Sequence, residues 1–191
     1  MNFSGIDDLE IQKKHLILNL RKYLQQNHTQ LTLKQRINII ENIIYAVLRL
    51  HHENSIHRDL HSGNILYSEY SGHWYISDFG FCGPADKPLE SIYGNLPYIA
   101  PEVINGKGYT FASDIYSIGM LMWEILSGQP PFANYDHEYE LAINLIKGIR
   151  PPIVQGTPIE YKNLMIKKTF HGFSMIENKR KERASIFFGK E

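Results

Sequence analysis

"SIHRDLHSGNIL", Ser55 to Leu66, gathers His57, Arg58 and His61 around Asp59 and follows the aspartate five residues later with Asn64. Three readings compete for such a stretch: a metal site, a loop that carries chemistry, or a polar turn between buried segments. The metal reading is the poorest. His57 and His61 are four apart, but the Ser62-Gly63 pair after them is a weak helix former, and no glutamate adjoins the first histidine as in a zinc hydrolase motif. His51 and His52 crowd the same region, and histidines in such numbers are more often solvated or satisfied within a core.

Upstream of the stretch the chain reads helical. "LILNLRKYLQQN" has helical spacing at Leu16, Leu20, Tyr23 and Leu24, and Thr32 with Gln35 has the form of a capping box that opens a second helix. From Ile37 the apolar residues Ile40, Ile44, Val47 and Leu48 recur at helical steps as far as about His51. Downstream, "NILY" and "HWYIS" are β-prone runs divided by the turn-forming "SEYSG", so a hairpin is predicted directly after the histidine-rich loop. "DFGFCGPADKPLESIYGNLPYIAPE" is rich in glycine and proline and predicts a long loop, of the kind that is often functional. "SDIYSIGMLMWEILSG" is apolar nearly all round, with a Ser-Asp start and a Ser-Gly stop, and predicts a helix in the middle of a core. "HEYELAINLIKG" and "IEYKNLMIK" predict two more helices. The expected fold class is therefore α+β, mainly α-helical, with a small β-hairpin beside the loop. Residues 1–166 are expected to form one domain and 167–191 an irregular basic tail.

Composition bounds the function. The 191 residues suit one domain, and 20 basic side chains balance 20 acidic ones, so no overall field argues for nucleic acid or a membrane surface. Cys82, the single cysteine, excludes an intrachain disulfide and a multi-cysteine zinc cluster. No signal peptide opens the chain, and its most apolar segment is interrupted by Glu124. A soluble, cytoplasmic setting is expected.

Phosphoryl transfer to a hydroxyl asks for a carboxylate that orients the attacking group and for oxygen ligands that hold Mg2+ against phosphate oxygens. Asp59, Asn64 and Asp78 would supply these parts, since the predicted hairpin brings the ends of its two strands together. His57-Arg58-Asp59 with Asn64, then Asp78-Phe79-Gly80, then Ala100-Pro101-Glu102, then Asp114 ahead of Ser117 and Gly119, together resemble the C-terminal lobe of a eukaryotic protein kinase over roughly residues 16–166.

That resemblance implies a role for each residue. Asp59 would accept or orient the substrate hydroxyl proton, Asn64 and Asp78 would hold magnesium, and Leu66 would lie under the adenine ring of ATP. His57 and Phe79 would pack together in an internal apolar column. Arg58 would meet a phosphorylated activation loop, for which Ser91 and Tyr93 are candidates. Asp114 would brace the catalytic loop, although an aspartate at a helix start is a cap in most proteins. "GNLPYIAPEVI", "SDIYSIGMLMWEILSGQPPF" and "IKGIRPP" resemble the tyrosine-kinase-like and related serine/threonine branch, and Tyr98 before Ile99-Ala100-Pro101-Glu102 favours serine/threonine, so the implied partner is a protein substrate or signalling partner.

Departures from the pattern set further expectations. His61 stands where serine/threonine kinases carry lysine, a fixed charge that histidine holds only part of the time. Asn95 replaces a threonine. No glycine-rich run or strand lysine precedes "HRD", which predicts an incomplete nucleotide cleft and weak ATP binding by this chain alone. Glu102 is expected to lack its arginine partner, with Arg180 a remote substitute. The rival reading is a kinase-like interaction module without transfer activity, presenting the activation loop and the "HEYELAINLIKG" helix.

Overall fold

A computed structural model describes residues 17–85, 94–135 and 137–170. The chain opens with a short strand β1 (Ile17–Asn19) and helix α1 (Leu20–Asn27), followed by a single turn and the long helix α2 (Leu33–His52). Strand β2 (Ser55–Ile56) leads into the histidine-rich loop, which returns through β3 (Ile65–Ser68), β4 (His73–Ile76) and β5 (Gly83–Pro84). Among the described residues four α-helices follow: α3 (Pro101–Ile104), α4 (Phe111–Ser127), α5 (Glu138–Ile146) and α6 (Ile159–Phe170). The architecture is the α+β, helix-rich one expected, with its hairpin beside the loop.

The helix predicted from Leu16 starts later. Ile17–Asn19 are instead a strand, antiparallel to β3 with Leu18 opposite Tyr67. The switch falls at Asn19, whose Oδ1 accepts the Lys22 N–H at 2.9 Å and so caps α1 from an extended backbone. Local periodicity could not register the open edge of β3, which offers Ile17–Asn19 a ladder of partners.

Helix α2 begins at the predicted capping box: the Thr32 hydroxyl accepts the Gln35 N–H and the Gln35 side chain accepts the Thr32 N–H. Its buried stripe is turned by about one residue from the expected one. Ile39, Ile40, Ile43 and Val47 are buried, whereas Ile44 only packs against the margin of the core. Helix α4 is the centre of the molecule. Ile118, Met120, Leu121, Met122 and Ile125 are all 1% exposed or less, with α2 on one side and α6 on another. It starts earlier than its Ser113-Asp114 pair suggested, because Thr110 is the cap and Ser113 closes the capping box. Its end is the expected one, Gly128 in the left-handed region at φ 73°.

Helix α6 continues through Phe170, so Lys167 to Phe170 of the segment expected to be irregular belong to a regular helix, with Lys168 and Thr169 buried. Among the described residues, no helix is long and apolar enough to cross a membrane.

Candidate active site

Two small sheets hold the loop of residues 57–64. It leaves β2, whose partner is β5, and it enters β3, whose partner is β4. The segment 77–82 joins β4 to β5, so the two connections must lie side by side. Their contacts follow from this topology: Ser77 donates its N–H to the Asn64 carbonyl at 2.8 Å, and its hydroxyl reaches the same oxygen at 3.1 Å. Asn64 and Asp78 are thereby brought to one end of the hairpin.

The loop is braced from below by Asp114, which is 1% exposed. Its Oδ2 accepts the His57 N–H at 2.9 Å and bonds His51 Nε2 at 2.8 Å, while its Oδ1 accepts the Arg58 N–H at 3.0 Å. Asp114 lies in the first turn of α4 but does not cap that helix; its carboxylate is committed to the loop and to α2. This explains how Arg58 keeps φ at 72°, a left-handed conformation costly for a side chain of its kind. Two adjacent N–H groups aimed at one carboxylate over-determine the backbone there.

His57 is fully buried. Its Nδ1 accepts the Asp59 N–H at 3.3 Å and its Nε2 lies 3.1 Å from the Ser77 carbonyl, a pattern satisfied by a neutral ring protonated on Nε2. Burial agrees, pushing the imidazole below its ordinary pKa. The ring packs 5.4 Å from Phe79, centroid to centroid. The two rings therefore pack together as expected, with Phe79 itself 55% exposed.

Asp59, Asn64 and His61 form the centre. Asn64 Nδ2 donates to the Asp59 carbonyl at 2.9 Å and to Asp59 Oδ2 at 3.1 Å. That fixes the amide and leaves Asn64 Oδ1 without a hydrogen bond among the described residues. His61 Nε2 stands 3.6 Å from Asp59 Oδ2, and its Nδ1 accepts the Gly63 N–H at 3.0 Å. His61 is the largest influence holding the Asp59 carboxyl below the usual carboxylate range, against burial, which pushes it up. At 3.6 Å that influence is electrostatic proximity more than a formed hydrogen bond. The other carboxylate oxygen faces Gly94: a Cβ at that position, where φ is 113°, would stand 2.9 Å from Asp59 Oδ1. Only glycine allows the segment that leads to Tyr98 to come this close to the carboxylate.

Asp78 is exposed, with φ at 60° and Oδ1 accepting the Gly80 N–H at 3.3 Å. Leu66, half-buried on β3, lies opposite Tyr75 on one side and Asn19 on the other. Arg58 sends its guanidinium away from Asp59: Nη2 donates to the Pro84 carbonyl at 2.8 Å and Nη1 to that of Phe81 at 3.3 Å. The arginine clasps the backbone just after Asp78-Phe79-Gly80. Its expected phosphorylated counterparts, Ser91 and Tyr93, lie outside the described residues, as does Arg180. Glu102, in the first turn of α3, is half-buried and makes no ion pair among the described residues.

Sequence reasoning missed His51, the third donor to Asp114, and the pairing of Tyr98 with Glu124. The Tyr98 hydroxyl donates to Glu124 Oε2, and the Tyr98 carbonyl accepts the Ser117 hydroxyl at 2.8 Å. A glutamate within a helix apolar nearly all round was the available signal, because such a group, 1% exposed in the structure, must have partners.

The donor set suits magnesium. Among the described residues no three of histidine, cysteine, aspartate and glutamate gather into a metal cage. Mg2+ is commonly held by one or two carboxylates plus substrate phosphates and water, and the Asp78 carboxylate with Asn64 Oδ1 gives two hard oxygen donors at one edge. A carboxylate beside such donors is the arrangement that phosphoryl transfer to a hydroxyl asks for.

Comparison with known proteins supports the class. The chain belongs to the protein kinase domain family, which it matches over residues 9–186. It is 31% identical over 183 residues to the probable serine/threonine-protein kinase PknB of Lactococcus lactis, covering 88% of this chain and 29% of that protein. A probable LIM domain-containing serine/threonine-protein kinase of Dictyostelium discoideum is 32% identical over 149 residues, covering 77% of this chain and 23% of its own length. The cAMP-dependent protein kinase catalytic subunit of the same organism is 35% identical over 123 residues, covering 64% of this chain and 18% of that protein. The chain thus spans less than a third of the length of these curated relatives.

Proposed function

We propose that this chain carries the catalytic loop of an enzyme that transfers the γ-phosphate of ATP to a serine or threonine hydroxyl of a protein. The observation that carries the reading is the juxtaposition of Asp59, Asn64 and Asp78 described above. Asp59 Oδ2 is held by Asn64 and approached by His61, which leaves Oδ1, beside the close approach that Gly94 permits, to take the incoming hydroxyl. A carboxyl held ionised is a weak base, so its main work is orienting the hydroxyl, with the proton accepted late as the bond to phosphorus forms. Asn64 Oδ1 and the Asp78 carboxylate would hold Mg2+, which when bound offsets charge on the phosphate oxygens. Leu66 gives an apolar surface for the adenine ring. Serine or threonine is favoured over tyrosine by the Tyr98-Ile99-Ala100-Pro101-Glu102 run and by the relatives' names. A protein partner and a cytoplasmic setting suit ATP chemistry and a lone cysteine.

The test is Mg-ATP-dependent phosphorylation of a generic protein acceptor by the chain, with Asp59→Asn as control. Because the nucleotide cleft read from the sequence is incomplete, weak transfer that disappears in Asp59→Asn, with phosphoserine or phosphothreonine in the product, is the expected result. Nucleotide binding without Asp59-dependent transfer would favour the interaction module.

A further inference from the structure

The side chain of Ser62 is wholly buried in the turn between Asp59 and Asn64, and it is met there by Arg21 from the first turn of α1. Arg21 holds this one residue twice. Its backbone N–H donates to the Ser62 carbonyl at 3.4 Å, and its Nε donates to the Ser62 hydroxyl at 3.2 Å. The N–H belongs to the helix start, where the first donors have no partner inside the helix. Asn19 satisfies that of Lys22, and the histidine-rich loop satisfies that of Arg21.

The guanidinium is fixed from behind. Glu124 Oε1 lies 3.7 Å from Arg21 Nε, and the Tyr98 hydroxyl that donates to Glu124 stands 3.5 Å from the Ser62 hydroxyl. Three elements therefore converge on Ser62: α1, the segment at Tyr98, and the buried helix α4. The turn itself is closed by short internal bonds, Asn64 N–H to the His61 carbonyl at 2.9 Å and Gly63 N–H to His61 Nδ1 at 3.0 Å. Those bonds shape the turn but do not attach it to the body of the protein.

We propose that Arg21 and Ser62 are positioning residues for phosphoryl transfer, anchoring the 61–64 turn so that Asn64 stays bonded to Asp59. The proposal rests on the reading of Asp59 and Asn64 given above. Neither residue touches the reacting atoms; each acts through the turn. The guanidinium matters as well as its charge, because the hydrogen bond to Ser62 is made by Nε, at a point along the side chain where lysine has only a methylene. Small displacements of a catalytic loop are costly, since transfer of this kind depends on alignment.

The experiment compares the full 191-residue chain with Arg21→Met, Ser62→Ala, their double variant and Arg21→Lys by amide hydrogen exchange. Each single variant is expected to speed exchange at Gly63 and Asn64 about tenfold, the worth of one charge-assisted hydrogen bond, with the double variant no faster. Arg21→Lys should resemble Arg21→Met, and the buried amides of α2 and α4 should keep their rates. Unchanged exchange at the turn, equal acceleration in α2 and α4, or a wild-type Arg21→Lys would each overturn the proposal. Where the wild type shows Asp59-dependent transfer, kcat should fall with KM for the protein acceptor unchanged; a raised KM at constant kcat would refute it. Absence of transfer in the wild type would sink the proposed function, and the exchange rates would still decide the anchoring.

Discussion

Asp114→Asn isolates the brace under the catalytic loop without opening a cavity. The carboxylate meets three N–H donors, those of His57, Arg58 and the His51 ring, between 2.8 and 3.0 Å. An amide of the same shape offers one oxygen and turns an NH2 toward at least one donor. Because the site is buried, that donor loses its partner without water to replace it, at a cost of about 2–3 kcal/mol. Release of the left-handed Arg58 backbone would return part of this, which is why the upper end is not expected. At roughly 2–4 °C per kcal/mol for a domain of this size, Tm should fall by about 5–10 °C. Thermal unfolding followed by circular dichroism reads the global effect, and amide exchange at Arg58 reads the local one. Loss of Arg58 protection beyond the global change is expected and, where the wild type shows the proposed phosphotransfer, its loss at temperatures where the variant is folded. A Tm within about 2 °C of the wild type and an undisturbed Arg58 amide would refute the reasoning.

Two further outcomes follow from the same structure. Gly128→Ala places a Cβ 2.5 Å from His28 Cγ at a position with φ 73°, and displaces the His28 ring from the Leu126 carbonyl it now meets at 2.8 Å. A loss of about 2–3 kcal/mol is expected by urea unfolding, shrinking to about 1 kcal/mol in a His28→Ala background where the clash is gone; equal losses in both backgrounds would contradict it. His57, held neutral by burial, has a folded-state pKa below the ordinary 6.5. Its contribution to stability is therefore full above 6.5 and declines as the pH falls below that value toward the folded pKa. His57→Gln should remove this part of the acid slope between neutrality and pH about 5, and an identical slope in the variant would count against a neutral buried ring.

Local signals carry much of the fold. The Thr32–Gln35 capping box, the turn between β3 and β4, and the Gly128 stop all act within a few residues, so their chemistry is written in adjacent letters. The start of α4 is ambiguous along the chain because two candidate caps, Thr110 and Ser113, lie three apart and both take part in one box. The stripe on α2 shifts by one residue because a run of isoleucines satisfies helical spacing in more than one phase. Only the positions of α4 and β4, both packed on α2, decide that Ile39 and Ile43 face inward.

Asp59, Asn64 and Asp78 stand out in the linear chain, since carboxylate and amide oxygens at such spacing have few other uses on adjacent loops. What the chain by itself determined was this inventory: which residues offer carboxylate and amide oxygens on adjacent loops, and, the strand at Ile17–Asn19 excepted, which segments are helix, hairpin or loop. The tertiary structure alone decided how the groups are held. Arg58 spends its guanidinium on the carbonyls of Phe81 and Pro84, Asp114 serves the loop and not its own helix, and Arg21 reaches Ser62 across 41 positions of sequence. These are contacts between buried polar groups far apart in the chain, each chosen by which partner the packing leaves within about 3 Å, and no local pattern encodes that choice.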